Sequence, residues 1–385
     1  MKTYKNLYRT LKDISLIEEC IWTASKDKRN RPPVKKVIEN REWYSAQILQ
    51  MLENKTYSFK NYPKKIINEG SNKKERIIVT PLFYPDQVIH HLIMYPLKPI
   101  IFKSMYEHAY GSIEGRSPLV AIKQLRKWVD SYQNKNFYVL KCDIRQFFGS
   151  IDHNVLKRKI QRKVNDSDYL DLVFSLIDSY DEGVVGKAIP KGFYTSQWFS
   201  HLYLTDFDHY IKHELGAKHY MRYADDIIVL DTNKRRLRKI FNKMQDYLNN
   251  QLFLEFKDNW QIYRFVDKNG EHGRDIDFIG YRLYRDKTTI RKSHLRQINR
   301  KANHLEKKRE DYKNGNGQGV TVHDAQSMLS YLGRTKHADV YHWYQGHIKP
   351  RINKRRLRKQ VSKADKKKNK EIDYITELSL QRRKR

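Results

Sequence analysis

Residues 219–230 read HYMRYADDIIVL, two short apolar runs with β character that meet at Asp225 and Asp226. Asp is a common turn residue, so the pair by itself describes no more than a polar hairpin tip. The constraint comes from a second segment, FYVLKCDI at 137–144, which also reads as a strand and closes on Asp143. Placed side by side, the two segments bring three carboxylates to one sheet edge. That much negative charge is costly to bury unless something positive occupies the gap. Two divalent ions about 3.5–4 Å apart would neutralise it, and would clamp the attacking and leaving oxygens of an in-line phosphoryl displacement. Ligands that are all oxygen suit Mg²⁺, with Mn²⁺ as a substitute.

Composition narrows the partner. The 385 residues hold 77 Lys and Arg against 44 Asp and Glu, a formal +33, together with 27 Tyr and 15 Phe. Basic surface attracts phosphates and aromatic rings stack on bases, which is the footprint of a nucleic-acid binder. A membrane surface would also attract the charge. However, mean hydropathy is −0.85, and no run approaches the roughly 18 apolar residues a spanning helix needs. The N-terminal MKTYKNLYRTLKDISLIEEC breaks its apolar positions with charges, unlike a secretory signal. A soluble, cytoplasmic protein with no membrane partner is expected. Cys20 and Cys142 form no CxxC pair, so neither a disulfide framework nor a structural zinc is expected. His90-His91 fits a helix flank better than a metal site.

Along the chain, 1–70 is expected to be a helical N-terminal region, with the basic, Pro-bearing SKDKRNRPPVKK as a surface loop. Residues 71–136 give a strand at Arg76–Val79, a helix from about Asp86, and a Gly-bearing loop, AYGSIEGRSP, that runs into a helix. From 137 to 290 the order is strand, helices near 154–180 and 195–215, hairpin, a helix at 234–252, and a return to β alternation in LEFKDNWQIYRF and DIDFIGYRLYR. This is an α+β pattern, an antiparallel sheet backed by helices. Residues 291–350 are helical. Residues 351–385 carry 15 Lys and Arg against 4 Asp and Glu, and read either as a solvated tail or as a segment that condenses onto nucleic acid.

KCDIRQFFGSIDH, followed by YADD 82 residues after Asp143, resembles motifs A and C of the reverse transcriptases. The resemblance covers roughly residues 65–295 and implies a right-hand polymerase of fingers (71–136), palm (137–290) and thumb (291–350). It implies that Asp143, Ile144, Asp225 and Asp226 hold two Mg²⁺ ions. Phe148, five residues past Asp143, stands where the family's steric gate selects dNTPs over rNTPs. ERIIVTPLFYPDQVIHHLI resembles the fingers segment, implying triphosphate contacts from Arg76 and the nearby Lys74; AYGSIEGRS resembles the YGFRPGRS-type loop and adds Arg116. AIPKGFYTSQ is similar to motif B and places Lys191, Gly192 and Gln197 at the nucleotide. LEFKDNW resembles motif D, where Lys257 would protonate the leaving pyrophosphate. DFIGYRL resembles motif E, the primer grip, here Phe278, Gly280 and Tyr281.

Taken singly, Arg76 reads as a surface arginine, Lys257 as a solvated lysine and Phe148 as core; their order along the chain with the three Asp residues carries the inference. Pro190-Lys191-Gly192 stands where group II intron enzymes usually show Pro-Gln-Gly, and no Cys/His nuclease cluster follows, so a maturase role is not expected. The Asn-Ala-x-x-His and Val-Thr-Gly strings of retron enzymes are also missing. Thr195-Ser196-Gln197 and DAQSMLSYLGRTKHAD are similar to the compact enzymes of diversity-generating retroelements and related stand-alone or phage-defence reverse transcriptases. Lys191-Gly192-Phe193-Tyr194 departs from the retroelement pattern beside the nucleotide. Expected partners are template RNA, nascent cDNA and dNTPs, with a structured non-coding RNA or accessory protein as further candidates. A non-catalytic RNA- or DNA-binding module derived from a polymerase is the alternative from another class.

Overall fold

The computed structural model describes residues 3–59, 62, 64–69, 74–133, 135–267 and 272–366. Its strands are β1 Lys64–Glu69, β2 Lys74–Val79, β3 Ala109–Tyr110, β4 Tyr138–Asp143, β5 His219–Tyr223, β6 Asp226–Asp231, β7 Gln261–Arg264, β8 Ile276–Phe278, β9 Tyr281–Leu283 and β10 Thr288–Ile290. The chain divides into two compact units, Met1–Arg116 with Tyr138–Ile262, and Ser117–Phe137 with Tyr263–Arg385.

In the first unit the central sheet runs β3-β5-β6-β4, and β7 spans the chain boundary between the units. β4 and β5 both pair antiparallel with β6, while β3 pairs parallel with β5 through Ala109↔Arg222 and Tyr110↔Tyr223. The sheet is therefore mixed rather than purely antiparallel. β6 is buried along Ile227–Asp231, with no alternation. A strand covered on both faces reads as a continuous apolar run, and the helix Lys234–Tyr247 packs on β4 and β6. The helix Tyr194–His209 is buried on nearly all sides, as expected of a central helix. Two of its buried polar side chains bond to backbone: His201 Nε2 donates to Gly111 O at 2.7 Å, and Thr205 Oγ1 donates to His201 O at 2.9 Å.

The N-terminal helices form as their sequence dictates. Asp13 caps Ile14–Ala24, its carboxylate accepting from Ser15 N at 2.8 Å, and Leu16, Ile17, Cys20, Ile21 and Ala24 face the core. Two local expectations fail. The basic loop contains the helix Pro32–Glu39, which starts on its prolines, because the first turn has no use for the N–H that proline lacks. Residues 64–69, within the stretch expected to be helical, form β1, paired with β2 from Lys64↔Val79 to Glu69↔Lys74.

The second unit holds the helix Pro118–Ser131, the β8–β9 hairpin, β10, and the helices Lys292–Lys313, Val322–Thr335 and Tyr341–His347. Ile298, Ala302 and Leu305 meet Ala325, Met328 and Leu332 in a small core, which also takes in Ile352 and Leu357 from the basic run past residue 350. Asp324 is buried, and Lys301 and Lys308 donate to it at 2.8 and 2.7 Å. Among the described residues no helix is long and apolar enough to cross a membrane.

Candidate active site

The β4–β6 register sets Asp143 directly opposite Asp226, and the β5–β6 register sets Tyr223 opposite the same residue. Ala224 and Asp225 are left as the turn, with Ala224 at φ 52°. Ile144 N donates to Asp225 O at 3.3 Å, so the three Asp residues are tied through backbone as well as through the sheet. Lys257 N donates to Asp143 O at 2.9 Å, and the Lys257 ammonium forms an ion pair with the Asp143 carboxylate. The segment carrying Lys257 is held by Arg145 N donating to Glu255 O at 2.7 Å and by the Ile144↔Phe256 bridge.

Burial pushes the Asp226 carboxyl up to about 7, reinforced by the charges of Asp143 and Asp225 and partly offset by Lys141. An acid held that high beside two others is one whose negative form a divalent cation would relieve. The donor chemistry fits Mg²⁺: carboxylate oxygens, with the Ile144 backbone beside them. Among the described residues, no three His, Cys, Asp or Glu side chains stand in a metal-holding array, and the Lys257 ammonium is the cation against Asp143.

Residues 63–283, more than half of the chain, match the family described as Reverse transcriptase (RNA-dependent DNA polymerase). The chain belongs to this reverse transcriptase family. Protein YkfC of Escherichia coli (strain K12) is 23% identical over 172 residues, 42% of this chain and 45% of that protein. The Putative COX1/OXI3 intron 1 protein of Saccharomyces cerevisiae is 20% identical over 217 residues, 54% of this chain and 25% of that protein. The match thus spans less than half the length of each of these relatives. Among solved structures, apo telomerase from Candida Tropicalis, truncated from the C-terminal domain, is 13% identical, with a TM-score of 0.43 over 63% of this chain and 58% of that one. Telomerase from Candida albicans in complex with a TWJ fragment of telomeric RNA gives 13% and 0.44, over 66% and 49%.

Within the reverse transcriptase match, Phe148 lies in the short helix Phe147–Ser150, partly buried, its ring edge-on to Phe147 at 5.5 Å. Its carbonyl accepts from Ile189 N at 2.9 Å, which ties it to the motif B segment. That segment is tied in turn to β2: Val79 N donates to Lys191 O at 3.1 Å. Gly192 has φ 113°, and a Cβ there would lie 2.6 Å from Val79 O and 3.0 Å from Ile78 Cγ2. Only glycine suits both the backbone and the space. Gly192→Ala should therefore destabilise the protein by about 2–4 kcal/mol, with incorporation falling in parallel; an unchanged melting temperature would show that the turn accepts a methyl group.

Gly192 and Gln197 line a cavity of about 310 Å³ together with Lys28, Arg31, His90 and Tyr194. Tyr194 stacks on His91 at 4.2 Å, 3° from parallel. His90 is fully buried, neither ring nitrogen has a hydrogen-bond partner among the described residues, and burial with the nearby His91 takes its pKa down to about 3. Lys28 and Arg31 were not singled out from the sequence; the signal was the basic composition of the loop that carries them. The Arg116 guanidinium donates to the carbonyls of Tyr106 at 2.7 Å and Ala109 at 3.1 Å and lies over the Phe102 ring. Lys74 and Arg76 are in the β2 ladder, but their side chains lie outside the described residues. In the second unit, Phe278 and Tyr281 are buried on β8 and β9, joined by a turn with Ile279 at φ 50° and Gly280 at φ 84°. Tyr281 OH donates to Arg334 O at 3.4 Å.

Proposed function

We propose that this chain copies RNA into DNA by nucleotidyl transfer, as a cytoplasmic enzyme of a diversity-generating retroelement or a phage-defence system. The observation that carries the reading is the pairing of Asp143 with Asp226 across adjacent strands, with Asp225 in the turn beside them. Asp143, Asp225, Asp226 and the Ile144 carbonyl would hold two Mg²⁺ ions, or Mn²⁺ in their place. Bound there, the ions would lower the pKa of the primer 3′-hydroxyl and would neutralise the triphosphate.

The chain's own residues do the rest. Lys74, Arg76 and Arg116 are assigned to the triphosphate, and Lys191, Gly192 and Gln197 to the nucleotide and its template base. Phe148 excludes a ribose 2′-hydroxyl. Lys257, held beside Asp143 by its own backbone, gives its ammonium proton to the departing pyrophosphate oxygen. Phe278, Gly280 and Tyr281 hold the primer end. The partners in this reading are template RNA, nascent cDNA and dNTPs, with a structured non-coding RNA or an accessory protein as further partners.

The test is incorporation of dNTPs on a primed RNA template, with and without Mg²⁺. Incorporation that needs the ion is expected, and RNA binding with no incorporation would replace this reading by a binding module. Sequencing the RNA and cDNA that co-purify with the protein then separates the settings: a variable-target template repeat indicates a retroelement, other templates defence.

A further inference from the structure

Behind the hairpin tip lies an ion pair that the reaction as described does not use. Arg222 on β5 and Asp208 on the helix Tyr194–His209 are each 1% exposed. Arg222 Nε donates to Asp208 Oδ1 at 2.8 Å and Nη2 donates to Oδ2 at 2.6 Å, while Tyr220 OH donates to Oδ1 at 2.5 Å. The remaining nitrogen, Nη1, donates to the carbonyl of Ala224 at 2.8 Å. On its other side, Ala224 N donates to Tyr110 O at 3.0 Å. Both backbone polar groups of Ala224 are thereby fixed, and Gly111 lets the two backbones approach, since a Cβ on it would lie 3.2 Å from Ala224 N.

Stability alone is a weak reason for this arrangement, because a buried ion pair contributes no more than well-packed apolar residues of the same volume. Geometry is a better one. A guanidinium is a rigid plane, so a carboxylate that engages Nε and Nη2 also determines where Nη1 points. Here it points at the one non-glycine residue of the tip in the left-handed region, Ala224 at φ 52°, a conformation that persists only where its surroundings impose it. We propose that Arg222 and Asp208 are positioning residues for the reaction, a clamp that holds Ala224 in this conformation and so presents Asp225 at the tip and Asp226 in register with Asp143. The proposal rests on the polymerase reading above.

Three variants test it. Arg222→Lys keeps the charge and loses the planar fork. Asp208→Asn keeps the shape and one acceptor. Tyr220→Phe removes a hydrogen bond to Asp208 and leaves the fork intact. All are compared with wild type well below their melting temperatures, by single-turnover dNTP incorporation on primed RNA and by Mn²⁺ binding to the protein alone, read by electron paramagnetic resonance. Arg222→Lys is expected to slow incorporation about 30- to 100-fold, a loss typical of an ångström-scale misplacement, while the KM for dNTP stays within about twofold and Mn²⁺ binding weakens about tenfold. Asp208→Asn moves both readouts the same way by about tenfold. Tyr220→Phe lowers the melting temperature and leaves both readouts within about twofold.

If rate falls only in step with the folded fraction, and Mn²⁺ binding is the same in all four proteins, the pair is merely structural and the proposal fails. If Arg222→Lys does not fold, Asp208→Asn against Tyr220→Phe decides by the same criteria. A wild type that binds Mn²⁺ without incorporating dNTPs overturns the polymerase reading instead, and the Mn²⁺ comparison still decides the clamp.

Discussion

Asp226→Asn should abolish dNTP incorporation while making the metal-free protein harder to unfold. The first effect follows from removing one ligand charge from the carboxylate set, and is expected to exceed about a thousandfold in rate. The second follows from the environment of the same carboxyl. Burial, then Asp143 and Asp225, raise it from 3.8 to about 7. A raised folded-state pKa means that the native protein holds the proton more tightly than the unfolded chain does. Its contribution to stability is complete below about pH 4, and is lost as pH rises through about 7. At about 1.4 kcal/mol per pH unit, the ionised form costs the fold on the order of 4 kcal/mol above that pH. Asparagine has no proton to lose, so in EDTA the variant should unfold at higher denaturant concentration than wild type at pH 8 and should lack this part of the pH slope. Parallel melts at pH 5 and pH 8 measure it. Identical pH profiles would mean that Asp226 is not under this charge pressure, and retained incorporation would remove it from the metal-holding set.

Phe148→Ala should raise the use of rNTPs relative to dNTPs by about 10- to 100-fold, the range for opening an apolar pocket to a slightly larger substrate. Phe148 is anchored both by its ring against Phe147 and by its carbonyl to Ile189, so the backbone beside it should stay in place when the ring is removed. Truncating a partly buried ring also lowers stability. The ratio of kcat/KM values for the two nucleotides cancels that loss, because both are measured on the same folded protein. An unchanged ratio would leave Phe148 as a packing residue and require another group to exclude the 2′-hydroxyl.

The central sheet was legible because its strands are written in residue types that leave few alternatives. Asp143 and the Asp225-Asp226 pair sit at the ends of β-rich runs, and the observed register brings Asp143 opposite Asp226. Less of the periphery could be read. β3 has only two residues, too few for a periodic pattern, so its parallel pairing with β5 was invisible. β1, KKIINE, is a strand because β2 is there to pair with it, and it shows no alternation of its own. Lys28 and Arg31 looked like ordinary loop charges until the fold set them beside Gly192 and Gln197. Arg222 and Asp208 did carry a signal in retrospect: an arginine in an apolar strand and an aspartate in an apolar helix each need a partner, and each is the other's.

The central helix Tyr194–His209 has 16 residues and is about 24 Å long at 1.5 Å per residue. Its first turn carries Gln197 at the cavity, and its last carries Asp208 under the hairpin tip. One helix thus runs from the residue proposed to meet the nucleotide to the residue proposed to align the carboxylates. If the proposed roles of Gln197 and Asp208 hold, a change that rotates or shifts this helix at one end is expected to reach the other, so that nucleotide choice and metal affinity would be tuned together rather than one at a time.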